Sequence, residues 1–291
     1  MINTYDDIKT HPDSFKQLSV RDLLFVHYKC PQIERFEQLY NHYNQFTFSL
    51  KGERILHQGE NSWKVTPQTS YFQRKTAYVQ EVTNAKDWEV LVFHIPDEFL
   101  IQFANEFMDN LATDNLPELT NEMFIKIDLN ELTRTYFYSM IPYFTQKTPP
   151  SEKLLELKFK ELLLDILSNP SNKQLLAYIL HLSDDIKTPI WQVMEKNYIY
   201  HLSLKDFARI SGRSLAAFKR EFFEYYHNTP GKWLTNKRLE HAEILLNTTK
   251  QNISEIAFSS GFENISHFSR IFKDKYGSSP LQFRKMHSAT A

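Results

Sequence analysis

The sequence predicts an α+β protein in two parts. A small N-terminal β-barrel with helices after it precedes a C-terminal all-α domain of two helix-turn-helix subdomains joined by a long helix. Three observations carry this reading. The run Leu204-Lys205-Asp206-Phe207-Ala208-Arg209-Ile210-Ser211-Gly212 is repeated 49 residues later as Ile253-Ser254-Glu255-Ile256-Ala257-Phe258-Ser259-Ser260-Gly261. Past one extra residue the offset becomes 50, so that Phe218, Phe222, Tyr226 and Thr229-Pro230 match Phe268, Phe272, Tyr276 and Ser279-Pro280. A short amphipathic helix, a glycine turn and a second helix with apolar residues four apart is the sequence form of a helix-turn-helix. The first 95 residues, by contrast, are short β-branched and aromatic runs broken by Lys51-Gly52, Gln58-Gly59-Glu60 and Thr66-Pro67. At Pro96 the apolar pattern turns helical.

Taken in order, strands are predicted at 22–28, 45–50, 54–57, 62–65, 70–73, 78–82 and 88–95. Several short, evenly spaced strands suit a small barrel or sandwich. A helix should run from Pro96 to about residue 110, with loop at 115–121 and one more strand at 124–129. Asn130 has the chemistry of an N-cap for a helix to about 145. Pro149-Pro150-Ser151 opens a helix at 152–167, Asn169-Pro170 stops it, and another helix follows at 172–182. The segment 184–188 is the linker. These boundaries give a sensor domain over 1–110, a helical linker and dimerisation region over 111–183, and a DNA-binding domain over 184–291.

Caps mark the C-terminal helices. Thr188 is expected to cap a helix with Pro189 at its first position. Ser203 with Asp206, and Asn252 with Glu255, have capping-box spacing. Ser214 and Asn264 cap the second helix of each unit, Thr229-Pro230 opens the long helix to about 247, and Ser279-Pro280 opens the last.

The composition admits this reading. The formal net charge is −1 over 291 residues, but it is unevenly placed. Residues 184–291 hold 16 lysines and arginines against 11 aspartates and glutamates; residues 1–183 hold 18 against 24. A basic C-terminal part fits phosphate binding. The excess is too small for a nonspecific architectural DNA binder. The lone cysteine, Cys30, allows no disulfide within the chain and no cysteine-based metal site. No apolar run approaches the ~20 residues of a membrane span, and the start lacks the charge and apolar pattern of a signal peptide. A cytoplasmic protein with no membrane partner is expected.

In the first recognition helix, 215–226, Phe218, Phe222 and Tyr225 are expected to turn inward, leaving Leu215, Ala216, Lys219 and Arg220 open. In the second, 265–276, Phe268, Ile271, Phe272 and Tyr276 turn inward, and Ile265, Ser266, His267 and Arg270 face out near the N-terminus. Arg and Lys can read guanine O6/N7, Ser and His can donate or accept, and an isoleucine can meet a thymine methyl. Gly212 and Gly261 supply the φ > 0 that a turn between crossing helices needs. Two such units could lay two helices on one face of a duplex about one turn (~34 Å) apart.

The run Ile253-Ser254-Glu255-Ile256-Ala257, Gly261-Phe262, Phe268, Arg270, Phe272-Lys273, Gly277, Pro280 and Phe283-Arg284 resembles the signature of the AraC/XylS family of bacterial transcription regulators. The resemblance covers residues 188–287. It implies two helix-turn-helix subdomains joined by a long helix, here about 230–247, and base contacts from both recognition helices. Carried onto this chain, those contacts fall on Ala216, Lys219 and Arg220, and on Ile265, Ser266, His267 and Arg270. Ala216 and Ala217 are small where many relatives carry larger groups, which leaves the first helix to read through Lys219 and Arg220. The resemblance also implies double-stranded promoter DNA and RNA polymerase as partners, activation as the mode, and a small-molecule or protein effector acting on the N-terminal part. That part resembles the family in layout, a small cupin-like barrel followed by helices, and its strand pattern is loosely similar to regulators related to the type III secretion activators.

No enzymatic chemistry is expected in the N-terminal half. Metal-binding cupins carry a His-x-His pair, whereas His27, His42, His57 and His94 stand singly. His94 on a strand reads as a hydrogen-bonded core histidine, and His57 near Glu60 as a chance pair. No phosphate loop, nucleophile elbow or CxxC motif occurs. Neither metal nor cofactor is therefore expected. The alternative is a cupin-type metal-dependent enzyme or metal sensor carrying a DNA-binding domain. The helix at 152–167 is apolar over much of its circumference, so it packs between two intrachain neighbours or forms a dimer seam. A regulator of repeated half-sites has a use for a dimer, and the seam of a homodimer is the expectation.

Overall fold

Alternation along single strands sorts the N-terminal side chains into two cores. In the computed structural model, which describes residues 1–29, 34–83, 88–183 and 188–288, the chain divides into two compact units, Ile2–Lys187 and Thr188–Ala291. Cys30 and all of the linker but Thr188 lie outside the described residues.

The first unit opens with strand β1 (Ile2–Asn3) and helix α1 (Thr4–Thr10). Strands β2 (Lys16–Val20), β3 (Leu23–Lys29), β4 (Phe36–Asn41), β5 (Asn44–Lys51), β6 (Arg54–Gln58), β7 (Asn61–Val65), β8 (Ser70–Gln73), β9 (Thr76–Val82) and β10 (Glu89–Ile95) follow. Helix α2 (Asp97–Phe107) and β11 (Phe124–Ile127) come next, then α3 (Glu131–Met140), α4 (Glu152–Ser168) and α5 (Lys173–Ser183). Among the described residues the strands make a five-stranded sheet, β1-β4-β9-β6-β7, and a six-stranded sheet, β11-β8-β5-β10-β3-β2. Leu24 and Val26 of β3 and Val90 and Val92 of β10 join Leu39, Leu56 and Tyr78 of the five-stranded sheet in one core. Phe25, Leu91 and Phe93, on the opposite face of the same strands, join α2–α5 in a second. This is the period-2 rule acting on a sheet buried on both faces.

Four elements go beyond the sequence prediction. The elements β1, α1, β2 and β4 carry no strong apolar pattern. β2 (KQLSV) is an edge strand, and β4 (FEQLYN) is half polar, with the adjacent pair Glu37-Gln38 breaking any alternation. A seven-residue helix with only Tyr5 and Ile8 buried is too short for periodicity to reveal. The helix at 152–167 spends most of its apolar face within the chain. Leu155, Phe159, Leu162, Leu163, Ile166 and Leu167 are buried, with Phe159 edge-on to Phe25 and Phe93.

The second unit holds α6 (Ile190–Asn197), α7 (Leu204–Ile210), α8 (Leu215–Tyr226), α9 (Pro230–Thr248), α10 (Ile253–Ser259), α11 (Ile265–Tyr276) and α12 (Pro280–Ser288). Ser203–Asp206 and Asn252–Glu255 form reciprocal capping boxes, and Thr229 caps α9 with Pro230 behind it. Thr188 does not cap α6. The N-cap is Pro189, with no side-chain bond, and the Thr188 carbonyl instead accepts from Arg213 Nη1 at 2.9 Å. Around α9 the two units build parallel cores. Phe207, Phe218, Phe222 and Leu234 are buried in the first, and Leu239, Leu246, Phe268 and Phe272 in the second.

Candidate nucleic-acid interface

The two turns are built alike. In the first, the Gly212 N–H donates to the Arg209 carbonyl (3.0 Å) and the Arg213 N–H to the Ala208 carbonyl (2.9 Å). In the second, Gly261 donates to Phe258 (3.0 Å) and Phe262 to Ala257 (2.9 Å). This paired bonding is a Schellman turn, which needs a left-handed residue at its glycine position. Gly212 has φ +68° and Gly261 φ +88°. Ala208 and Ala257, at the same place in the two units, are both buried.

Helices α8 and α11 then start the same way. Ser214 accepts a hydrogen bond from the Ala217 N–H, and Asn264 from the His267 N–H. Each helix is twelve residues long and ends in a left-handed cap, His227 at φ +50° and Gly277 at φ +78°. The apolar faces point into the unit: Phe222 stacks on Tyr226 with ring centroids 4.5 Å apart, and Phe272 lies 4.5 Å from Tyr276. The expectation for Tyr225 fails. It is 65% exposed, and Tyr226, one turn beyond Phe222, takes the inward place.

On the opposite faces Ala216, Lys219 and Arg220 of α8 are exposed, as are Ile265, Ser266, His267 and Arg270 of α11. Leu215 and Ile265 hold equivalent first positions and are equally open, each at 37%. Arg270 is paired one turn along with Asp274 at 3.6 Å, both side chains well exposed. Sequence reasoning missed three cations that position these helices. Arg213 reaches from the first turn to Glu221 of α8 at 2.7 Å, and Lys275 of α11 reaches Glu240 of α9 at 3.1 Å. Arg238 of α9 bonds the carbonyls of Tyr198 and Tyr200. None has a local signature, because each partner lies on another element or across a turn. Phe223, 54% exposed on α8, was hidden by its buried neighbour Phe222.

The N-terminal histidines stay apart. His27 Nε2 bonds Glu89 Oε1 at 2.9 Å, and His42 Nδ1 accepts from Asn3 at 2.8 Å. His57 pairs not with Glu60 but with Ser62 (2.7 Å) and Glu81 (3.0 Å). His94 is a core histidine without the expected hydrogen bond. It is fully buried, and neither ring nitrogen has a partner among the described residues. Burial, with the charge of His42 adding to it, lowers its pKa to about 3, so the ring is neutral. Among the described residues no three His, Cys, Asp or Glu side chains gather as metal ligands, and no helix is long and apolar enough to cross a membrane.

Duplicated turns, duplicated caps and two open, basic helix faces define a two-part DNA-binding regulator. Residues 207–286 match a helix-turn-helix domain family, and residues 44–178 match the ExsA N-terminal regulatory domain family. The helix-turn-helix match is to an AraC-type domain, and the relatives that span most of the chain are AraC-like transcription regulators. It is 26% identical over 249 residues to the virulence regulon transcriptional activator VirF of Yersinia enterocolitica, covering 83% of this chain and 92% of that one. It is 25% identical over 270 residues to the HTH-type transcriptional regulator ExsA of Pseudomonas aeruginosa, covering 93% and 95%. Among solved structures, ToxT from Vibrio cholerae O395 is similar at 15% identity with a TM-score of 0.41, covering 90% of this chain and 99% of that chain.

Proposed function

We propose that this chain is a transcription activator, not an enzyme, that reads two successive major grooves of promoter DNA. Lys219 and Arg220, with Ala216 beside them, meet base edges from α8. Ile265, Ser266, His267 and Arg270 do so from α11. The observation that carries this reading is the matched pair of exposed helix faces: equal lengths, equal caps, and cationic side chains on the open side of each. Gly212 and Gly261 shape the turns and touch no base. Activation is supported by the name of the Yersinia relative. RNA polymerase is the partner such an activator engages in the cytoplasm, and a small-molecule or protein effector acts through the N-terminal unit. Leu154 and Leu157, exposed on α4 at 39% and 52%, supply the seam of a homodimer. No metal or cofactor takes part.

In vitro selection from random duplexes with the full-length protein tests this. Enrichment of two short conserved segments about 10 bp apart is expected. Enrichment of nothing, at a salt concentration where random DNA is still bound, would sink the base-reading assignment.

A further inference from the structure

The two helix-turn-helix units meet around Arg238. Arg238 lies near the middle of α9; its Nε donates to the Tyr198 carbonyl and its Nη2 to the Tyr200 carbonyl, both at 2.7 Å. Those carbonyls belong to the connector between α6 and α7, which leads into the first unit. The turn glycine of the second unit presses on the same guanidinium. A Cβ on Gly261 would sit 2.7 Å from Arg238 Nε and 2.9 Å from the Ile199 carbonyl oxygen. Beside it, Glu263 of the second turn lies 3.7 Å from His201 of the same connector. Burial pushes the Arg238 pKa down to about 10 while Glu263 pulls it up, so the cation persists at neutral pH.

We propose that Arg238 is a positioning residue that fixes the angle and distance between α8 and α11, and so sets the base-pair spacing the protein accepts between its two DNA segments. The proposal rests on the DNA-reading assignment above. A helix such as α9 fixes how far apart its ends lie, but each unit can still rotate on it unless contacts cross over. The planar guanidinium holds two backbone carbonyls at once in a rigid fork, which a lysine point charge cannot reproduce. The glycine turn lying on that fork ties the second unit to the first. One base pair inserted between the segments moves one groove by ~3.4 Å and ~35° relative to the other, since a full turn takes about 10 bp. A rigid pair of helices cannot follow that shift.

The test uses the full chain and the duplex it selects from random DNA. Affinity is measured for that duplex, for versions with one base pair inserted or deleted between the segments, and for a version keeping only the segment bound by α8. Wild type should lose about a hundredfold on the respaced duplexes, comparable to one or two wrong base pairs. Arg238→Lys should keep its single-segment affinity and lose less than about tenfold on respacing. Gly261→Ala, whose Cβ would displace both the guanidinium and the Ile199 backbone of the connector, should relax spacing in the same way. Gly277→Ala, at a similar φ of +78° but with nothing within 4 Å, should not. An undiminished spacing penalty in Arg238→Lys would overturn the inference. So would equal losses on single-segment and full duplexes, which mark a merely structural role. If wild type selects a duplex but tolerates respacing, this inference alone fails; if it selects none, the base-reading assignment fails and takes the inference with it.

Discussion

Arg270 Nη1 lies 3.6 Å from Asp274 Oδ2, one helical turn along the open face of α11. Both side chains are about two-thirds exposed, and such surface pairs stabilise by ~1 kcal/mol or less. A pair this weak does not keep the guanidinium from a base. Arg270→Ala should weaken binding to the selected duplex by about 1–3 kcal/mol, the worth of a good base contact, and random DNA much less. Gel shifts on both DNAs at one salt concentration check this. Equal losses would make Arg270 a phosphate contact.

A fragment beginning at Thr188 should fold and bind DNA as a monomer, more weakly than the full chain. The second unit has its own cores, capping boxes and turns within Thr188–Ala291. Circular dichroism and gel shift decide the matter, and an unfolded fragment would reveal a core shared with the first unit.

Leu157 and Leu164 of α4 should respond differently to a charge. Leu157 is 52% exposed, whereas Leu164 packs against the core of the N-terminal unit. Leu157→Glu should keep its thermal transition but run as a monomer by light scattering. An unpaired charge in an interface costs on the order of several kcal/mol of association. Leu164→Glu should lower the transition temperature whatever the oligomeric state. A Leu157→Glu protein that still dimerises would place the seam elsewhere.

His94 should make the N-terminal unit acid-sensitive. Its folded pKa of about 3 lies below the ordinary 6.5, so between those values the unfolded chain binds a proton that the folded chain refuses. The stability His94 allows is complete above pH 6.5 and falls as pH drops towards 3, by up to ~1.4 kcal/mol per pH unit. His94→Leu should flatten the slope of chemical denaturation between pH 6 and 5. An unchanged slope would show that other groups carry the acid sensitivity.

The sequence by itself determined the C-terminal helices, most of their caps and the outward residues of α8 and α11. The physical reason is that these are local properties. A cap bonds an amide three residues away, a Schellman turn closes within six residues, and an amphipathic face repeats every turn. The duplication checks each reading against a second copy. Even there the i, i+4 rule had to choose between adjacent residues, and only packing on Phe222 put Tyr226 inside and Tyr225 out.

Tertiary structure decided what depends on partners distant in sequence. The apolar circumference of 152–167 could have been a seam or a core. The rings of Phe25 and Phe93, more than 60 residues away, claim Phe159 and make most of it core. β4 became a strand through its pairing with β9, some forty residues on, which outweighs its polar sequence. Arg238 is one cation among several along α9. Its meaning comes from two carbonyls about 40 residues earlier and a glycine 23 residues later, which meet only when the chain has folded.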